Sequence, residues 1–266
     1  MSVYVASIKG RRDKNEDKHD IIINSNGRNK QLNNIDFYAV YDGHGGNEVS
    51  TYLKDRLSPH FTKKNLIYPL PQKYVIKVYD YLQNSLRNHK FAYRAGSTGL
   101  VVIVFLLNGK KSLSIFNNGD CRCIICRRNI AIPLTKDHKP HWPEELYRID
   151  KIGGEKIDWS GHDPRINGLS VSRSFGDLDS VPEVTHRPQL FGYTLGKDDK
   201  FIIMACDGLW DVLDNSEACN FVLMNCYDRT LKIRINKKND IAQKLAEYAL
   251  KKGSGDNVTV IVVFFD

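Results

Sequence analysis

The chain has 266 residues, 41% of them hydrophobic, which is enough for a sizeable core and excludes a disordered chain or a disulfide-stapled miniprotein. Its formal net charge is +8, so acidic partners have to be considered, but the basic residues are spread along the sequence. No stretch reaches the roughly 20 apolar residues of a membrane span, and we expect no membrane association.

The hydrophobic pattern predicts strands and helices in separate groups. Short β-branched runs predict strands over residues 3–8, 37–41, 100–107, 112–116, 121–127, 201–206 and 258–265. Apolar residues at helical spacing predict helices after Gly46, over 73–88 and over 241–251, the last with Asp240 as its N-cap. Because strands follow strands, the pattern favours an α+β fold with antiparallel sheets. No linker or repeat interrupts the sequence, so we predict a single domain over residues 1–266.

The six cysteines are typical of a reducing compartment. Three of them, Cys121, Cys123 and Cys126, lie in one predicted strand, where the first two share a face and the third points to the other. No nearby pair of Cys or His completes a tetrahedral zinc site. Core and surface positions on the strand are therefore favoured over a metal site.

The sequence at the two ends of the chain bears on the location of the protein and on the presence of a further domain. The first residues, MSVYVASIKGRRDKNED, lack the apolar core of a signal peptide, and their acidic residues argue against a transit peptide. We therefore expect the protein in the cytoplasm, with the nucleus as a second location. The last predicted strand ends close to Asp266, and we expect no regulatory domain after it.

The densest basic stretch is RTLKIRINKK, residues 229–238, which has no aromatic residue for base stacking. A solvated face is the favoured interpretation, and a docking surface for acidic phosphoproteins is the alternative. We expect no nucleic acid as a partner, and a nucleic-acid-binding protein remains a distant alternative that rests on charge alone.

Three aspartates lie at the ends of apolar strands. Asp42 follows one in FYAVYDGHGG, Asp207 follows another in FIIMACDGLWDV, and Asp256 precedes a third in GSGDNVTVIVV. One such aspartate is most often a turn or a helix cap, but three on separate strands predict a cluster. Clustered carboxylates repel each other unless cations lie between them, and ligands that are all oxygen favour Mg²⁺ or Mn²⁺. Gly43 would let its own carbonyl act as a further ligand.

A charged loop, GRRDKNED, follows the first predicted strand and supplies Glu16 and Asp17. Arg12 precedes Glu16 by four residues. A guanidinium beside a metal centre can bind phosphate oxygens through two parallel hydrogen bonds. Taken alone, the loop is best interpreted as a solvated segment.

Eight short motifs occur in a fixed order: GRRDKNED, VYDGHGG, GST, NNGDCR, LTKDHKP, RINGLSVSRSFGD, ACDGLWDV and GSGDNVTVIVV. Their order and content resemble the metal-dependent protein phosphatases of type 2C, the PPM family, over nearly the whole chain. The resemblance implies a four-layer α-β-β-α sandwich, in which two antiparallel sheets are flanked by helix pairs. It also implies a flap beside the cleft over about residues 137–165, where Trp142 and Trp159 are candidates for substrate contact.

The same resemblance implies the roles of the acidic residues. Asp42 would bridge two Mg²⁺ or Mn²⁺ ions, with Asp207 and Asp256 at one ion and the Gly43 carbonyl at the other. Glu16 and Asp17 would act mostly through metal-bound waters. Asp120, in NNGDCR, matches a position that holds a third, weaker ion together with Asp207 in some members.

The chemistry implied is hydrolysis of phosphoserine and phosphothreonine in proteins, without a phosphoenzyme. Two cations about 3.5–4 Å apart would share a hydroxide that attacks the phosphorus. His44 is the candidate general acid for the leaving alkoxide, and a turn histidine or one that orients a metal ligand is the alternative. We expect a monomer that acts on phosphorylated proteins. A pseudophosphatase that serves as a binding or regulatory module is the alternative function.

Overall fold

The computed structural model describes residues 1–24, 34–153, 157–161, 163–235 and 240–265. Parts of the flap-like segment 137–165 and of the basic stretch 229–238 lie outside these residues. The strands, in chain order, are β1 Ser2–Ile8, β2 Lys18–Ile22, β3 Asp36–Tyr41, β4 Gly43–His44, β5 Gly96–Ser97, β6 Gly99–Leu107, β7 Lys110–Asn118, β8 Arg122–Arg127, β9 Ile130–Pro133, β10 Ile157–Asp158, β11 Arg165–Ile166, β12 Phe175–Gly176, β13 Gln189–Thr194, β14 Asp199–Ala205 and β15 Val258–Phe264. The α-helices are α1 Glu48–Arg56, α2 Ser58–Phe61, α3 Gln72–Leu86, α4 Pro143–Lys151, α5 Asp207–Trp210, α6 Asn215–Cys226 and α7 Ile241–Lys251.

Most strands belong to two five-stranded sheets. Sheet A has the order β1-β15-β14-β8-β9, and sheet B has the order β13-β7-β6-β3-β2. Neighbouring strands are antiparallel throughout both sheets. The predicted mixture of helices with antiparallel sheets is therefore confirmed. None of the helices in the described part of the chain has the length and hydropathy needed to cross a bilayer.

Hydrophobic clusters lie on both faces of the central strands. In β3, Tyr38 and Val40 belong to a cluster shared with sheet A residues such as Ile202, whereas Phe37 and Ala39 belong to a cluster that includes α1 and α3. A further cluster joins sheet A to α6 and α7. Burial on both faces explains why these antiparallel strands are apolar almost throughout instead of alternating.

The seven predicted strands are all present, with ends that differ by at most two residues. The predicted helices correspond to α1 with α2, to α3 and to α7. The prediction missed β2, β9 and β13, which are edge strands with few fully buried residues. It also missed α4 and α6, although Asp214 and Glu217 form a capping box at the start of α6, a pattern that is visible in the sequence.

Two local predictions need correction. Asp240 is the N-cap residue of α7, but its carboxylate makes no capping hydrogen bond and instead binds Lys244 Nζ at 2.9 Å. Cys121 and Cys123 face one cluster and Cys126 faces another, as the strand pattern predicted, but none of the three lies on the surface. They are buried because helices or the other sheet cover both faces of β8.

The topology brings one end of each sheet, where its strands begin or end, next to the other. In sheet B this end contains the last residues of β3, the first of β6 and the last of β7. In sheet A it contains the last residues of β14 and the first of β8 and β15. The connection over residues 119–121 joins β7 to β8 directly, so it links these two ends. Side chains that follow these strand ends, such as Asp42, Asp120 and Asp207, therefore meet.

Candidate metal centre

Acidic side chains from both sheets converge in one cleft. Ligand oxygens of Asp42, Asp120 and Asp207 all lie within 4.8 Å of one another. Asp42 follows β3, Asp207 opens α5 just after β14, and Asp120 lies in the connection between β7 and β8. The structure thus brings together three of the aspartates that the sequence singled out.

This crowding is unfavourable for the metal-free protein. Burial, and after it the charge of Asp207, raises the pKa of Asp42 well above its usual range. Burial, and after it the charge of Asp120, does the same to the pKa of Asp207. A donor set of closely spaced carboxylate oxygens fits a hard divalent cation, which would remove the repulsion. The site is therefore suited to hold a metal ion.

A second group of potential ligand atoms lies beside the first and includes Asp17, Asp42 and Cys206. Asp17 is buried, and its Oδ2 accepts hydrogen bonds from Thr259 Oγ1 at 2.7 Å and Cys206 Sγ at 3.3 Å. Burial raises the pKa of Asp17 to about 6 and the pKa of the Cys206 thiol well above its usual value. Cys206 therefore stays protonated and donates to Asp17. No sequence pattern had indicated Cys206, although it directly precedes Asp207.

Asp256 lies in the same cleft and is held by two neighbours. Arg12 Nη2 donates to Asp256 Oδ2 at 2.7 Å, and the Arg12 side chain is 61% exposed. The Asn257 backbone amide donates to Asp256 Oδ1 at 2.7 Å. The Asn257 side chain also donates to the carbonyls of Lys9 and Lys14, both at 2.8 Å. Asn257 therefore holds the loop that presents Arg12, a role that its place in the GSGDNVTVIVV motif did not indicate.

Glu16 and Gly43 form the wall of the cleft next to Asp42. The Glu16 backbone amide donates to Asn257 Oδ1 at 2.8 Å, and its Oε2 accepts a hydrogen bond from the Gly46 amide at 3.3 Å. A Cβ on Gly43 would lie 2.5 Å from the Glu16 backbone oxygen. Only glycine permits this approach of the two segments. Among the described residues, Glu16 and Asp256 lie in the cleft but outside the two tight groups of ligand atoms.

Lys139 lies beside Asp120, and its ammonium donates a hydrogen bond to Asp120 Oδ2. Burial alone would lower the pKa of Lys139, but the charge and hydrogen bond of Asp120 raise it above its usual value. The preceding His138 fixes this loop, since its backbone amide donates to the Gly119 carbonyl at 3.0 Å and its Nδ1 accepts from the Gly119 amide at 3.1 Å. A fixed cation therefore faces Asp120. No role for Lys139 followed from the sequence, although this residue lies in the LTKDHKP motif.

His44 lies in β4, at the wall of the cleft, and is held by a buried carboxylate. Its Nε2 lies 2.8 Å from Asp177 Oδ2, which also accepts a hydrogen bond from Ser174. Burial alone would lower the pKa of His44, but the hydrogen bond and charge of Asp177 raise it. A Cβ on Gly96 would lie 2.0 Å from Asp177 Oδ2 and 2.4 Å from His44 Nε2, so glycine is needed for the pair to form.

The cleft has a volume of about 990 Å³, and the flap-like segment contributes Lys139, His141 and residues 163–165 to its lining. Trp142 and Trp159 are 38% and 58% exposed. Neither belongs to the described residues that line the cleft. A role of these two side chains in substrate contact, which was less favoured than local packing, therefore has no support in the geometry.

A buried carboxylate anchors the flap-like segment to the residues that precede β12. Glu145, on α4, accepts hydrogen bonds from Ser172 Oγ at 2.8 Å, Arg173 Nε at 3.0 Å and Arg148 Nη2 at 3.1 Å. Burial alone would raise the pKa of Glu145, but Arg173 and then Arg148 lower it to about 2. The ionised Glu145 thus fixes α4 next to the cleft, a link that no sequence motif had indicated.

The sequence matches one protein family over most of its length. The family described as Protein phosphatase 2C matches residues 1–258. A PP2C-like domain-containing protein of Acanthamoeba polyphaga mimivirus is 48% identical over 171 residues, which cover 59% of this chain and 96% of the relative. A probable protein phosphatase 2C of Oryza sativa subsp. japonica is 32% identical over 279 residues, which cover 96% of this chain and 73% of the relative. The chain belongs to the protein phosphatase 2C family.

The fold agrees with this assignment. The crystal structure of serine-threonine phosphatase 2C from Toxoplasma gondii has a TM-score of 0.80 to this chain at 22% sequence identity. The match covers 99% of this chain and 94% of that chain. Identity at this level shows the fold alone. The family, with relatives named as protein phosphatases, makes this chain an enzyme that acts on phosphoprotein substrates.

Proposed function

We propose that the protein is a metal-dependent serine/threonine phosphatase that uses two divalent cations, Mg²⁺ or Mn²⁺. The observation that carries this proposal is the convergence of Asp42, Asp120 and Asp207, whose ligand oxygens lie within 4.8 Å of one another. Carboxylates this close repel each other unless cations bind between them. In this proposal Asp42 would serve both ions, Asp207 and Asp256 would hold one of them, and the Gly43 carbonyl would hold the other.

The remaining acidic residues have supporting roles in this proposal. Glu16 and Asp17 would act on the cations through water molecules. Asp17 suits this role because its Oδ2 already accepts hydrogen bonds from Cys206 Sγ and Thr259 Oγ1. Asp120, with Asp207, offers a third and weaker cation site. The Lys139 ammonium competes for that site because it already binds Asp120.

Two cationic side chains complete the mechanism. When bound, the metal ions neutralise the phosphoryl oxygens and lower the pKa of the attacking water. Arg12 binds two phosphoryl oxygens, and its exposed side chain can exchange Asp256 for this new partner. His44 protonates the leaving oxygen of serine or threonine. The hydrogen bond to Asp177 keeps His44 protonated to a higher pH than an isolated imidazole.

We also propose that residues 1–266 form a single domain with four layers, helices on the outside and two sheets within. The clusters that join each sheet to helices and the two sheets to each other support this arrangement. We propose a monomer in the cytoplasm or nucleus. The six free, buried cysteines are consistent with a reducing compartment.

The test is hydrolysis of para-nitrophenyl phosphate and of a phosphothreonine peptide, with Mn²⁺, with Mg²⁺ and with EDTA. Asp42→Asn should lower turnover about 100-fold or more, the scale of losing one preorganised electrostatic group. Asp55→Asn removes the same charge at an exposed position on α1. This variant is the matched control and should stay active. Full activity after exhaustive chelation would contradict metal dependence. Metal binding without turnover of either substrate would favour the pseudophosphatase alternative.

A further inference from the structure

A second groove lies at the opposite end of sheet A from the metal centre. Strand β14 runs from Asp199, in this groove, to Ala205, next to the metal centre, so the two sites are about 20 Å apart along one strand. The groove has a volume of about 650 Å³, and its walls are the β13–β14 connection and the segment after α6. The cations in its lining are Lys111, Lys197, Lys200, Lys232 and Arg234.

The groove is strongly basic. Lysine and arginine supply five of its lining residues, against the single carboxylate of Asp199. That carboxylate already accepts hydrogen bonds from Arg127 Nε at 2.9 Å and from the Gly196 amide at 2.7 Å. Lys197 and Lys232 are exposed on opposite walls. The groove therefore presents a net positive field to solvent and attracts an anionic ligand.

Two of the cations are held in place by neighbouring groups. The Lys200 ammonium lies 4.5 Å from the ring centroid of Tyr227 and donates to the Leu231 carbonyl. The Arg234 guanidinium lies 3.6 Å from the ring centroid of Phe264, and Arg234 is 8% exposed. Positive charge in the groove is therefore part of the packed structure and does not depend only on surface lysines.

Apolar surface lies beside these cations. Ile233 is 64% exposed, and Leu195 and Phe265 are half-buried. A ligand that combines carboxylates with an apolar side chain can use both kinds of surface. Nucleic acid fits less well, because Tyr227 is 7% exposed and the Lys200 ammonium lies against its ring, which leaves little aromatic surface for base stacking.

We propose that this groove binds an extended acidic segment of a protein partner, with an apolar residue among its Asp or Glu residues. Lys197 and Lys232 pair with the carboxylates, and Ile233 contacts the apolar side chain. The site goes beyond the proposed phosphatase activity, since neither the ligand nor its contacts involve the metal centre.

The test is the affinity of the full chain for a fluorescein-labelled peptide of alternating Glu and Leu, measured by fluorescence anisotropy at low and high salt. Lys197→Glu/Lys232→Glu should weaken binding about tenfold or more, because two attractive charges become repulsive. Lys73→Glu/Lys77→Glu, exposed on α3, changes the net charge equally and should keep the affinity within about twofold. Ile233→Ser should weaken binding of this peptide and leave that of an all-Glu peptide unchanged.

Melting temperatures close to that of the parent protein establish that each variant is folded. Absence of measurable binding by the parent protein at low salt would overturn the proposal. Equal affinity of the parent protein and Lys197→Glu/Lys232→Glu would overturn it too. So would a single-stranded oligonucleotide that binds more tightly than the peptide and loses affinity in the same double variant, since the groove would then be a nucleic-acid site.

Discussion

Asp177 and His44 are 133 residues apart in the chain, yet His44 Nε2 lies 2.8 Å from Asp177 Oδ2. The three-stranded sheet β12-β5-β4 brings them together, with Gly96 of β5 between them. Asp177 itself has a positive φ of 45° and is buried. It is a positioning residue that orients the imidazole and raises its pKa.

Asp177→Asn should therefore change the pH profile of turnover. A general acid acts while it is protonated, so activity that depends on His44 declines as pH rises through its pKa. The substitution removes the charge that raises this pKa, and the decline should begin at a lower pH than in the parent protein. The effect should appear in kcat for a phosphothreonine peptide and be small for para-nitrophenyl phosphate, whose leaving group hardly needs a proton. Asp179→Asn, at an exposed position two residues further on, is the control. An unshifted pH profile for Asp177→Asn would argue against the role of the His44–Asp177 pair.

Arg12→Ala should mainly raise KM. In the proposed mechanism the guanidinium contacts phosphate in both the ground and transition states, so its loss should affect binding more than turnover. We expect an increase of about tenfold, equivalent to one charge-assisted contact. Arg11→Ala removes an adjacent exposed arginine and should leave KM nearly unchanged. A fall in kcat with KM unchanged would show that Arg12 does not contribute mainly to substrate binding.

Asp207→Asn should remove activity without destabilising the metal-free protein. The pKa of Asp207 is raised in the folded state, so its contribution to stability is present below the unfolded pKa of about 4 and is lost as pH rises above that value. The melting temperature of the metal-free variant should match that of the parent near pH 4 and equal or exceed it at pH 7. The stabilisation by Mn²⁺ should shrink, because metal bound only to the folded state stabilises by mass action. If metal-free Asp207→Asn melted at a lower temperature than the metal-free parent at pH 7, Asp207 would instead be a structural cap.

Lys139→Met tests the competition between an ammonium and a third cation. Asp120 is 2% exposed and would lose its cationic partner, so the metal-free protein should lose about 3 kcal/mol of unfolding free energy. The same change should open a further Mn²⁺ site, measured as ion stoichiometry by titration calorimetry. Lys136→Met breaks an exposed pair with Glu144 and should cost less than about 1 kcal/mol. An unchanged ion count would contradict the competition.

Glu145→Gln should show how strongly α4 is anchored. The buried carboxylate pairs with Arg173 and Arg148, so its loss should lower the unfolding free energy by about 3 kcal/mol. Glu144→Gln is the matched control, because that side chain is 61% exposed. The pKa of Glu145 is lowered from 4.5 to about 2, so its stabilisation is present above pH 4.5 and is lost as pH falls towards 2. The difference in unfolding free energy between Glu145→Gln and the parent, measured by chemical denaturation, should therefore decrease as pH falls over that range.

The central strands could be predicted because burial on both faces requires long apolar runs. Residues 100–107 and 258–265 show this most clearly. The edge strand β2 mixes polar and apolar residues, and β9 has only four residues and ends in a proline. The edge strand β13 pairs with β7, which is remote in sequence. Local pattern alone could not reveal them.

The sequence by itself determined the apolar strands, the aspartates at their ends and the family motifs, because these depend on residues within a few positions of one another. Only the tertiary structure decided which further groups join these aspartates and which groups form a second site. The contacts of His44 with Asp177 and of Lys139 with Asp120, and the basic groove, join segments that meet through strand register and sheet packing. Register and packing are set by long-range pairing, and the pKa of each buried group follows from the neighbours that this pairing supplies.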